Sequence, residues 1–149
     1  MIRVHPATAT QDKSVGGRVD PLLVLAASLF AAGGVHLAVA FDHTGSAFGM
    51  LAFAAGSLQL GLGIAAFARP SRRLFAGAVV LSLVLAQLYV LNVTVGLPPL
   101  IAHAHQSGTH SVLGVTVSLP NRIDGQGIAA LAAEAIAVIS AVVADRRSR

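Results

Sequence analysis

Glu134 is the only glutamate among six acidic residues, and it sits inside an apolar run, 127–144, that holds no other charge. A carboxylate in such surroundings takes up a proton or demands a cationic, metal or hydrogen-bonding partner. His36, in a separate apolar run, is the natural candidate. Gln59, Gln87, Tyr89 and Asn92 also fall within apolar runs. Polar groups there are expected to face the interior of a helix bundle and one another. For Glu134 polar glue that fixes helix register and a ligand or proton carrier stand side by side, with a position at the lipid headgroups as the third reading. For Gln59, Gln87 and Asn92 the structural reading is the stronger.

The second cluster is imidazole. The stretch His103-Ala104-His105-Gln106-Ser107-Gly108-Thr109-His110 carries three of the six histidines. His-x-His puts two rings on one side of an extended segment, and His110 can fold back across Ser107-Gly108. His43, Asp42 and Asp124 belong to the same side of the chain. Neutral imidazole with carboxylate suits Zn(II), Cu(II), Fe or Mn. The expected ligands are His36, His43, His103, His105 and Glu134. Asp42 or Asp124 would serve as outer support, with Gln59, Tyr89, Asn92 and His110 as further polar groups. Haem held through His36 is a lesser alternative, because no other apolar run contains a histidine.

Other chemistries lack their signatures. There is no cysteine, so disulfides and thiolate sites are excluded. No phosphate-cradling glycine loop, Gly-x-Ser-x-Gly elbow, His-Glu-x-x-His helix or Glu-x-x-His pair occurs.

The elements that must position these groups are legible from composition. Apolar residues make up 55% of the chain and charged residues only 11%, too few to cover a water-facing surface. Four nearly uncharged runs, 21–41, 47–68, 74–96 and 127–144, approach the ~20 residues that cross a bilayer. The expected fold is all-α: an integral membrane four-helix bundle, with a flexible segment 1–20 before it and a basic tail 145–149 after it. Nine of the ten Lys and Arg fall in the leader, the 69–73 connection and the tail, whereas five of the six His fall at the opposite ends of the runs. By the positive-inside rule both termini are cytoplasmic, in a cell membrane, and the long 97–126 loop is outside. Basic residues at helix ends orient a chain, and none is interleaved with aromatics, so nucleic acid is not an expected partner. One Lys against nine Arg, with abundant Ala, Gly and Val, is the composition of a GC-rich bacterial genome.

Ala38-Val39-Ala40 after an apolar run also has the form of a signal-peptide cleavage site, whose use would remove helix one and His36. The long polar leader and the spanning length of the run weigh for retention. Gly45 predicts a tight first turn, Pro98-Pro99 an end or bend for helix three, and 112–119 a short strand or hairpin. Ala129, Ala133, Ala137 and Ala141, with Gly56, Gly61 and Gly63, are spaced for close helix contact. At about 1.5 Å per residue, His36 lies roughly 9 Å below Asp42, Asn92 about 7 Å below Leu97 and Glu134 about 12 Å below Gln126. One outward-facing pocket that binds a metal ion or metal cofactor is therefore the expected site, serving metal handling or a redox role. The competing expectations are a non-catalytic accessory subunit of a larger membrane complex, a haem- or quinone-binding redox protein, and self-association into an oligomer.

Overall fold

The computed structural model describes residues 19–96, 109–112, 115–118 and 123–148. Four helices, α1 Pro21–Asp42, α2 Ala47–Ala68, α3 Arg72–Thr94 and α4 Gly125–Arg147, form the body. Each is long and apolar enough to cross a membrane, and together they make a multi-pass membrane bundle. Every helix begins at a side-chain cap. Asp20, Ser46, Ser71 and Asp124 accept the backbone N–H of Leu22, Gly49, Leu74 and Gly127 respectively. These caps explain why α3 and α4 start two residues before their apolar runs: a helix ends where its hydrogen bonds end, not where hydrophobicity does.

Gly45 adopts φ 82° in the α1–α2 turn, the left-handed conformation that the tight connection requires. Gly96, at φ 97°, stops α3 with its N–H donating to the Leu91 carbonyl. The glycine cap, rather than the prolines at 98 and 99, ends this helix. Two short antiparallel strands, β1 Thr109–Val112 and β2 Val115–Ser118, pair in register from Thr109↔Ser118 to Val112↔Val115, so the strand pair begins three residues before the 112–119 segment expected to hold it.

Around the bundle the order is α2–α1–α4–α3, and the α2–α3 seam is the loosest contact. Gly33 and Gly56 let α1 and α2 approach: a Cβ on Gly56 would lie 2.8 Å from the Gly33 carbonyl oxygen. Gly63 takes the ring of Phe30, but Gly61 faces open space, so only part of the glycine set serves contact. On α4, Ala133, Ala137, Ala141 and Ala144 are buried and Ala129 is exposed. The small-residue face thus runs one turn nearer the C-terminal end than its sequence spacing indicates.

Hydrophobic packing concentrates at the end bearing the arginines. Leu25, Leu29, Ala66, Phe75, Ala78, Ala137, Ala141 and Ala144 form one cluster there. An Arg72–Asp145 ion pair at 3.6 Å ties α3 to α4 outside it. At the opposite, histidine-bearing end the helices splay around a cavity.

Candidate functional site

Glu134 is 2% exposed and Gln59 wholly buried, and the Gln59 amide donates to Glu134 Oε1 at 2.5 Å, joining side chains of the diagonally placed α2 and α4. The sequence pointed first to His36 as the partner. Gln59 takes that place because its long side chain reaches the carboxylate from a backbone one turn deeper. His36 remains close enough to interact electrostatically with Glu134, and Ser82, fully buried on α3, lies beside the same carboxylate.

His36 has its own anchor. Its Nδ1–H donates to the Ala32 carbonyl at 2.9 Å, since a carbonyl can only accept. In the neutral ring Nε2 is then an acceptor. This is the arrangement by which a backbone carbonyl orients a histidine for a task at its other nitrogen.

A cavity of about 240 Å³ opens beside these groups. Its polar wall holds His36, His43, Tyr89, Asn92 and Glu134, with Asp124 and Gln126 also lining it. The remaining wall is aliphatic and aromatic, including Val35, Val39, Phe48, Leu85 and Leu131. Leu51 and Leu88 line the cavity and also face outward, so the cavity borders the exterior along the loose α2–α3 seam.

Glycines set the shape of the wall. A Cβ on Gly127 would run into the Tyr89 ring, and one on Gly49 into the His43 carbonyl. Those close approaches press Tyr89 against α4 and His43 against α2. Ser46 Oγ donates to the His43 carbonyl and accepts from Gly49 N, and the His43 ring meets Phe48 edge-on at 5.5 Å.

Among the described residues five buried side-chain atoms have no hydrogen bond: Gln59 Oε1, Ser82 Oγ, Tyr89 OH, Asn92 Oδ1 and Glu134 Oε2. All are oxygens, and three belong to residues of the cavity wall. Buried polar atoms are normally paired, so this concentration marks a place equipped to receive donors or a cation.

Thus His36, His43, Tyr89, Asn92, Asp124 and Glu134 converge, and Gln59 joins them through Glu134. Asp124 is already engaged as the α4 cap, accepting from Gly127 at 2.6 Å. Asp42 is exposed at the end of α1 and does not line the cavity. Gln87, expected inside the bundle, is exposed on the outer face of α3, because it lies about 140° around the helix from Ser82 and about 200° from Tyr89. His103 and His105 lie outside the described residues. For His110 only the backbone position in β1 is described, opposite Val117.

Among the described residues no three His, Cys, Asp or Glu groups are placed to hold a metal ion. Ser82 and Phe48 were not singled out from sequence. A helical serine is unremarkable, since its hydroxyl can bond its own helix. The seven-residue spacing from Ser82 to Tyr89, one helix face, was the signal for it. Comparisons with family models, with curated proteins and with solved structures gave no match.

Proposed function

We propose that the protein is a cell-membrane bundle that binds a small amphipathic organic molecule in its outward-facing cavity. The ligand class is one carrying hydrogen-bond donors: an alcohol, phenol, quinol or amine. The observation that carries this reading is the set of unpaired oxygens on Tyr89, Asn92 and Glu134, gathered in an otherwise apolar cavity. Ligand sites have this character, apolar walls with a few convergent polar groups. The volume of about 240 Å³ sits just below the ~300–1,000 Å³ of drug-sized pockets, which favours a compact ligand. Both termini would be cytoplasmic, with the cavity outside.

A divalent transition metal is the second reading, favoured by the Ala32-anchored His36 with Nε2 left to coordinate. Glu134 would join it, and His103 and His105 would have to complete the shell. Haem asks for more, because His36 and His43 approach from the same helix and its C-cap rather than from opposite sides.

Tyr89 is the single tyrosine and the chain has no tryptophan, so its emission reports on this cavity alone. The test titrates purified protein in nanodiscs with a short-chain benzoquinol, a phenol and Zn(II), following that emission. Saturable change with an organic probe, lost in Glu134→Gln and Asn92→Ala, is the expected result. A response to Zn(II) alone that disappears in His36→Gln would replace the organic reading with the metal one. Unsaturable responses that ignore all three substitutions would reject both.

A further inference from the structure

Among the described residues Gln87 is the one amide that the bundle turns outward within the body of a span. It lies seven residues, about 10 Å, from the Thr94 end of α3 and fifteen residues, about 22 Å, from Arg72. Its side chain is too short to reach water across that depth, and no described residue hydrogen-bonds to it. Lipid offers an amide neither donor nor acceptor, so a bare amide there is unfavourable.

The surroundings of Gln87 are regular. Gly77, Val80, Val84, Gln87, Leu91 and Thr94 are all exposed. They follow one another at spacings of three and four, the repeat of a left-handed helix pair. No Cβ on Gly77 would meet another atom, so this face is open from end to end. Helix α3 is also the least covered of the four spans.

We propose that this face of α3 packs against the same face of a second copy, with Gln87 opposed to Gln87. Copies inserted in one orientation can only bring α3 to α3 in parallel, about a two-fold axis along the membrane normal. Each Gln87 then meets its own counterpart at equal depth. A carboxamide is self-complementary, donor and acceptor on one group, so two reciprocal hydrogen bonds satisfy both copies. Polar side chains of this kind hold transmembrane helices together where hydrophobicity cannot. The cavity lies on the opposite side of α3 and is not needed for the pairing.

The absence of cysteine makes the test clean. Full-length Val84→Cys and Leu91→Cys proteins in native membranes, oxidised with copper phenanthroline, are expected to form disulfide-linked dimers of this chain. Leu58→Cys, equally lipid-facing on α2, serves as the control. Adding Gln87→Leu should lower the cross-linked fraction about five- to ten-fold, and Gln87→Asn should largely preserve it. Tyr89 emission of each variant after purification verifies that it is folded. Absence of linkage at both α3 positions, equal linkage from Leu58→Cys, or linkage only to a different protein would each overturn the proposal.

Discussion

The Gln59–Glu134 contact concentrates much of the polar risk of the molecule in two side chains. Replacing only Gln59 with Leu takes the amide donor away from Glu134 Oε1, and replacing only Glu134 strands the amide. Hydrogen-bond couplings inside membrane proteins average about 0.6 kcal/mol and reach about 1.7. The Gln59→Leu/Glu134→Leu double variant should therefore be more stable than the two single losses sum to, by about 0.5–2 kcal/mol. Steric-trapping measurements of unfolding in bicelles give that coupling, and strict additivity would mean that the contact contributes nothing. Glu134 was legible as the critical residue because a lone carboxylate in an apolar run has no bland explanation. Its partner was not, because contact between helices depends on tilt and side-chain reach, which a one-dimensional depth scale omits. Gln87 shows the same limit from the other side: depth was right, facing was not.

Two glycine substitutions separate contact from propensity at the scale of the helix. Gly56→Ala forces a methyl against the Gly33 carbonyl and the Leu37 side chain, and backbone cannot give way as a flexible side chain does. It should destabilise by about 1–3 kcal/mol, the usual range for overpacking. Gly61→Ala enters open space on the same helix and should be neutral or stabilising by up to about 1 kcal/mol. The same unfolding assay reads both, and equal effects would remove the close α1–α2 approach from the account. At the α3–α4 contact, Gly127→Ala should displace the Tyr89 ring. The expected readouts are shifted tyrosine emission and a weakened ligand response. Helix existence and the turn at Gly45 could be read in advance from apolar length and a single glycine. Helix limits could not, since caps such as Asp124 extend α4 past its apolar run.

For the whole molecule, charge placement makes an orientation testable without knowing the ligand. Fusion of a fluorescent protein after Arg149 should give fluorescent cells, and fusion of alkaline phosphatase at the same point should be inactive. The reverse pair of outcomes would turn the cavity toward the cytoplasm. The four-span architecture was legible because so few charges leave no other way to solvate the chain. The cavity was legible only as a tendency of polar groups to share one end. Its apolar lining and its border on the α2–α3 seam belong to packing, which residue spacing does not encode. An accessory role in a larger assembly is compatible with this layout, and the outward Gln87 gives such a partner a competing claim on α3.

The alanine-rich cluster around Leu25, Leu29 and Phe75 makes the cavity a cul-de-sac. A ligand of the kind proposed would have the histidine end and the α2–α3 seam as its ways in and out, with packed side chains closing the inner half. Such a layout suits capture and release, and passage across the membrane would require the plug itself to come apart.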